Sequence, residues 1–409
     1  MGQEAKKVVM FVTVGTGRDR ADIASAIVKS IRSYNPNIVV FLCTEKSKQE
    51  TLPIIEEGLA KENITVEQEI KLIKDENDLE AVKQICSNEM RKFERDRKFV
   101  EYTSGTKAMS VGLVLAGLEN GAEKFSYIAG NRDETGRVIP GTERFISFEP
   151  TVIYAEVFFK KAIEYFNDGM YGSASKMFEK CLEIYREESF KKKVETLNNL
   201  CKVYQNWDLF KHKEAFETAK EIDLDILANF EAKRKFESNR DSLAFLNKES
   251  VFSPLKAIDL LRNAERRIER ERYDDAVARL YRLLEYIIQI RIDKLGLYSE
   301  PGKIDLSKLP DDLKEKYQRS EIALAKSAEL LNDLGDEMGK ELYESITQGN
   351  LKKILSARNN SILAHGFTPI DKETAEEFRD ILKKILAKYF GSDFERWYED
   401  LEFVKLKVL

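Results

Sequence analysis

The chain has 409 residues, 43% hydrophobic and 34% charged with few Gly and Pro, which reads as a soluble, globular, helix-rich protein of two or three domains. A net charge of -5 argues against a broad footprint on duplex nucleic acid but leaves room for a small local site. Only two histidines, His212 and His365, occur, so a histidine-rich metal centre is excluded, while carboxylates alone leave a magnesium site open.

The cysteines Cys43, Cys86, Cys181 and Cys201 are scattered and form neither a disulfide framework nor a zinc motif. A reducing cytoplasm is the expected compartment. No apolar run approaches the ~18–20 residues of a membrane span, so no membrane association is expected. The start, MGQEAKKVVMFVTVG, reads as a buried strand and not as a leader. Lys6 stands where myristoylation wants Ser or Thr.

Residues 1–150 alternate strands and helices. VVMFVTVG is a continuous β-branched run, followed by GTGR and a helix over DRADIASAIVKSIRSY. NIVVFLCTEK and ITVEQEIKLI are further strands, and DENDLEAVKQICSNEMRKFERD is an amphipathic helix. KFVEYTSGTKAMSVGLVLAGLENG is strand, turn and helix, and KFSYIAGNRDETGRVIPGTERFISF closes the region with a strand and a polar hairpin. This rhythm predicts an α/β, Rossmann-like domain on a parallel sheet.

Residues 151–250 predict an all-α connector, opening with a helix pair whose Ala162, Tyr165, Phe166, Ala174, Phe178 and Leu182 share helical faces. Residues 251–409 predict an all-α bundle that opens at a Ser-Pro helix start. Within it, NLKKILSARNNSILAHG reads as a helix ended by Gly366 and Pro369, with Leu355, Ile362 and Leu363 anchoring it.

Two groups of residues carry chemistry. The first is Gly15, Thr16 and Gly17 with Ser104, Gly105, Thr106 and Lys107, each group following a strand. In an open parallel sheet, ligands bind at the carboxyl ends of the strands, where glycines let backbone N–H groups approach and a helix N-terminus favours anions. Neither a P-loop nor a GxGxxG fingerprint is present, so a nucleotide-type ligand is suggested without NTP hydrolysis. The same glycines also suit plain strand-to-helix turns.

The second group is Arg358, Asn359 and His365 in RNNSILAH. Across these positions a helix turns about 700°, which would place Arg358 and His365 on one face ~10 Å apart. Arginine offers a fork of donors to phosphoryl oxygens, and histidine acts as general acid or base. Cleavage of RNA by its own 2′-hydroxyl needs little more. Taken alone, the spacing also fits a helix-capping histidine beside a solvated arginine.

The two groups, in this order and with a helical connector between them, resemble the CARF–HEPN ancillary ribonucleases of type III CRISPR systems, the Csm/Csx group, in the subfamily with a long helical insert. The strand and GTG loop at 14–17, the SGTK run at 102–109 and RNNSILAH carry the resemblance. Ser104 departs from it, standing where the family usually has glycine; its hydroxyl is expected to have the option of donating to a phosphate. The resemblance implies a CARF domain over 1–150 that senses cyclic tetra- or hexa-adenylate. It also implies a HEPN ribonuclease domain over 251–409 that cleaves single-stranded RNA as a homodimer, with Arg358 and His365 from each chain. No cofactor is expected besides the activator, and no catalytic metal. Arg279, Arg282 and Glu285 are candidates to support the site or to form a salt-bridged surface. The competing reading is a non-catalytic nucleotide sensor whose bundle binds RNA, DNA or a protein.

Overall fold

The computed structural model describes residues 6–17, 20–131, 134, 139, 141–185 and 187–407. The chain's first five residues, Asp19 of the first expected helix and part of the expected polar hairpin lie outside them. The chain divides into two compact units, 1–154 and 155–409.

The first unit is built on strands β1 (Val8–Val14), β2 (Ile38–Cys43), β3 (Glu67–Leu72), β4 (Arg97–Glu101), β5 (Lys124–Ala129) and β6 (Arg144–Phe148). They lie in the order β3-β2-β1-β4-β5-β6; the first five run parallel and β6 pairs antiparallel with β5. Helices α1 (Arg20–Tyr34), α2 (Glu45–Glu50), α3 (Leu52–Lys61), α4 (Leu79–Arg91) and α5 (Lys107–Glu119) connect the strands. Two separate apolar cores include opposite faces of β1: Val9 and Phe11 belong to one, Met10, Val12 and Val14 to the other. That is why β1 and β2 read as unbroken apolar runs, while β3, at the sheet edge, carries the polar residues water requires. Strand order reverses between β1 and β4, the place where a doubly wound sheet opens a crevice.

The second unit is helical apart from a short hairpin, β7 (Tyr298–Glu300) with β8 (Lys303–Ile304). Its helices begin with α6 (Thr151–Asn167), which crosses the boundary at 154, then α7 (Tyr171–Ile184), α8 (Glu188–Asp208), α9 (His212–Ala219), α10 (Leu224–Ala228) and α11 (Lys233–Leu246). They continue with α12 (Pro254–Glu269), α13 (Tyr273–Lys294), α14 (Asp311–Lys316), α15 (Leu324–Asp333), α16 (Glu337–Thr347), α17 (Asn350–Asn359), α18 (Lys372–Phe390) and α19 (Ser392–Asp400). Pro254 opens α12 and the Ser253 hydroxyl accepts from Lys256 N–H at 3.3 Å, the start its sequence predicts.

Helices on both sides of residue 250 share one hydrophobic core. The C-terminal segment returns to it: the Phe403 ring packs at a tilt against Tyr204 and Trp207, and Asn167 binds both backbone groups of Leu406. His212, in the polar segment FKHKEAF, pairs with buried Asp259 at 2.9 Å, opposite the Trp207 indole. The histidine thereby satisfies a carboxylate that would be costly to bury alone.

Candidate functional site

At the carboxyl ends of β1 to β4, a cleft of about 780 Å³ is lined by Gly15, Thr16, Gly17, Ser104, Gly105 and Thr106, with Thr44, Lys46, Lys74, Glu76 and Thr103. Two loops meet at its base by backbone contact. A Cβ on Gly15 would lie 2.6 Å from the Gly105 nitrogen, so only glycine fits. Gly17 and Gly105 have positive φ, 45° and 105°, and Ser104 does not. The serine therefore needs none of the freedom a glycine would supply.

The Ser104 hydroxyl faces inward, donating to the Thr13 carbonyl at 2.7 Å and accepting from Gly15 N–H at 3.2 Å. Thr13 returns the bond to the Ser104 carbonyl at 2.6 Å. This corrects the expectation that the Ser104 hydroxyl is available to a phosphate: it locks the β1 and β4 loops together. Thr106 caps α5 by accepting from Met109 N–H at 3.2 Å and donates its proton to the Glu76 carbonyl. Lys107, the first residue of α5, is exposed and does not line the cleft. Lys46 and Lys74 do, on the segments after β2 and β3, and the sequence reading passed over both. Neither sits beside a glycine turn, so no local motif marks them; their strands' place next to β1 does.

Behind the cleft, Glu101 is fully buried. It accepts from Thr103 N–H at 2.8 Å, from the Thr103 hydroxyl and from Ser126 Oγ at 2.6 Å. Thr103 Oγ1 accepts from Ile128 N–H at 2.8 Å. A cleft-lining threonine is thus held from three directions.

In the second unit, α17 ends at Asn359, well before His365. The expected single helix face is therefore not formed, and the ~10 Å helical spacing does not apply. Asn359, Asn360 and Ser361 have side chains that compete with helical backbone bonds, and the chain leaves through tighter bonds, Ser361 N–H to the Arg358 carbonyl at 3.0 Å among them. It then folds back. His365 N–H reaches the Asn359 carbonyl at 3.1 Å, and Thr368 N–H the Asn360 carbonyl at 3.0 Å, satisfying carbonyls the helix end leaves open. Gly366 makes this possible, since a Cβ there would lie 2.2 Å from the Asn360 oxygen.

The return turn thus brings the His365 backbone to that of Asn359, the residue after Arg358. Asn359 and His365 are exposed and Arg358 half-buried. Leu355 packs on the core as expected, but Ile362 and Leu363 do not anchor a helix: they are 62% and 52% exposed, and Phe367 is 89% exposed. The helix stops too early to turn them inward.

The Arg358 guanidinium lies over the Tyr281 ring, 4.2 Å from its centroid, and Nη1 donates to Asn359 Oδ1 at 3.1 Å. Burial and then the Glu285 carboxylate raise the Tyr281 pKa, against the Arg358 charge. Arg279 is elsewhere engaged, with Asp275 and Asn263. Arg282 pairs with Glu285 at 3.5 Å and donates to Gln289 at 3.0 Å. Tyr281 has no motif and its closeness to Arg358 comes only from the packing of α13 against α17.

Residues 25–152 match the model for the Card1 CARF domain, residues 154–246 the Csm6 6H domain and residues 246–388 the Csm6 HEPN domain. Together the three matches span most of the chain and give it the domain order CARF, 6H and HEPN, the last two of Csm6 type. Among solved structures it is similar to Csm6 of Enterococcus italicus bound to cyclic hexa-2′-fluoro-hexa-dAMP, at 17% identity. That likeness covers 97% of this chain and 98% of the other with a TM-score of 0.59, and is one of fold. No curated protein sequence matches the chain. In CARF–HEPN terms, Arg358, Asn359 and His365 fall inside the HEPN match and Ser104–Lys107 inside the CARF match, while Gly15–Gly17 precede it. Among the described residues no helix is long and apolar enough to cross a membrane.

Proposed function

We propose that this protein is an endoribonuclease switched on by a cyclic oligoadenylate in type III CRISPR defence. It works through a sensing domain over 1–150, a connector over 151–250 and a HEPN domain over 251–409. The observation that carries this reading is that Arg358, Asn359 and exposed His365 fall in a HEPN-matched segment, with the His365 N–H turned back onto the Asn359 carbonyl at 3.1 Å.

Arg358 presents N–H donors to the phosphoryl oxygens, where charge builds as the ribose 2′-oxygen attacks phosphorus. His365 handles the proton: one leaves the 2′-hydroxyl and one reaches the departing 5′-oxygen. The P–O5′ bond breaks, leaving a 2′,3′-cyclic phosphate and a 5′-hydroxyl, with every charge handled by side chains and no metal. Asn359 holds one edge of the guanidinium. Two copies pair as a homodimer through the exposed Ile362, Leu363 and Phe367, bringing two Arg358–His365 sets to one single-stranded RNA.

The activator occupies the cleft at Gly15–Gly17 and Ser104–Thr106, with Lys46 and Lys74 meeting phosphates and Lys107, the next residue after Thr106, as a further candidate contact. The Enterococcus italicus protein is bound to a ring of six nucleotides, so cyclic hexa-adenylate is the first activator to try and cyclic tetra-adenylate the second. Four buried, unpaired cysteines suit the cytoplasm.

The test is RNA cleavage with each ring in EDTA. His365→Ala and Arg358→Ala are expected to lose cleavage by ~10²–10⁴ while binding activator normally. Wild-type cleavage in pure His365→Ala sinks the assignment. Intact RNA with every ring size favours a non-catalytic sensor.

A further inference from the structure

Arginines in this protein are commonly held by carboxylates: Arg262 by Glu265, Arg266 and Arg267 by Asp208, Arg279 by Asp275 and Arg291 by Asp336. Arg358 is different. Among the described residues it has no ion pair; its partners are the Tyr281 ring face at 4.2 Å and the Asn359 amide oxygen at 3.1 Å. Both partners are neutral. A carboxylate would fix the guanidinium equally well, but it would cancel the charge and occupy the donor fork that a phosphate needs. An aromatic face attracts the cation through its quadrupole and leaves the in-plane N–H groups free.

Tyr281 lies on α13, a helix with long buried runs at Leu280, Leu283 and Leu284. Its backbone is therefore fixed by the core, and its ring is a rigid plate under a flexible side chain. An arginine side chain carries considerable rotamer freedom, and ordering it before substrate arrives removes that cost from the reaction.

We propose that Tyr281 is a positioning residue for RNA cleavage: its ring holds the Arg358 guanidinium in one plane with its charge uncompensated, so that the open fork meets the phosphoryl oxygens. This rests on the ribonuclease reading above. The ring does the work, and the phenol hydroxyl does not.

The experiment is steady-state cleavage at saturating activator by Tyr281→Phe and Tyr281→Leu, with Tyr281→Met in place of leucine if that variant does not fold. Tyr281→Phe is expected to keep the wild-type kcat. The leucine variant should lose roughly three- to thirtyfold in kcat, with KM for RNA and activator binding unchanged. Added to Arg358→Ala, Tyr281→Leu should cost nothing further, because the ring acts only through the arginine. Wild-type kcat in Tyr281→Leu overturns the role while leaving the ribonuclease reading intact. Equal losses in the Phe and Leu variants overturn it too, by assigning the effect to the hydroxyl. Wild-type protein that cleaves no RNA with any ring overturns the reading and this role together.

Discussion

Glu101 is a carboxyl with no access to water, yet hydroxyl and amide donors surround it. Burial outweighs those bonds and raises its pKa. A raised acid holds its proton more tightly in the folded state. Its contribution to stability is therefore complete at low pH and is lost as pH rises past the ordinary glutamate value of ~4.3 and through the folded pKa. Glu101→Gln removes the charge and keeps an acceptor for Thr103. The first unit of this variant should melt higher than wild type at about pH 8, with the difference closing as pH falls toward about 4. Calorimetry across pH checks this, and a difference independent of pH would mean that the carboxylate is not penalised. Thr106 is a less simple residue to change. Its hydroxyl caps α5, so Thr106→Ala costs ~1 kcal/mol of helix start before any ligand is considered.

Helix α17 shows how an element's end, more than its body, makes a site. Leu351 and Ile354 bury its body, and its last carbonyls are closed by the amides of His365 and Thr368. Gly366 lets the returning chain touch the Asn360 backbone, with a Cβ only 2.2 Å from its oxygen and 2.6 Å from its carbonyl carbon. Backbone cannot swing aside as a side-chain tip can. Gly366→Ala should therefore open the turn, move His365 off the Asn359 carbonyl and lower cleavage by ~10²–10⁴, as loss of the histidine itself does. Activator affinity should stay normal, because the cleft is in the other unit. Measuring both on one preparation separates these effects. Undiminished cleavage would show that the turn does not place the histidine.

The second unit is tied across its connector and bundle by one charge cluster. Asp208, at the end of α8, accepts from Arg266 at 3.0 Å, Arg267 at 2.7 Å and Asn263 at 3.0 Å, all on α12. Burial alone would raise this carboxyl, but Arg266 and Arg267 together outweigh it and hold the pKa below the usual value. A depressed acid stabilises above its unfolded pKa of ~3.9, and that stability is lost as pH falls through the folded pKa. Asp208→Asn keeps the shape and strands the arginines. It should lower the stability of the second unit by ~3–5 kcal/mol at neutral pH and by less in acid. Both tryptophans, Trp207 and Trp397, lie in this unit, so denaturant unfolding followed by their fluorescence reports on it alone. An unchanged midpoint would mean that the arginines find other partners.

Local chemistry fixes much of this protein. The apolar runs at 8–14 and 38–43 fold as the buried parallel strands they suggest, and Ser253-Pro254 opens a helix as it suggests. Gly15, Gly105 and RNNSILAH were visible because each constrains its own neighbourhood. Where local signals compete, the sequence misleads: RNNSILAH has helical spacing, but Asn359, Asn360 and Gly366 favour a turn, and the turn wins. What only the tertiary structure decided is what stands opposite each group. The Ser104 hydroxyl is taken up by Thr13 and Gly15, Lys46 and Lys74 line the cleft from the segments after neighbouring strands, and Tyr281 lies under Arg358 across a helix contact. These pairings join residues distant in the chain, and no periodicity encodes them; they arise when the buried faces pack and the polar groups left behind must each find a partner.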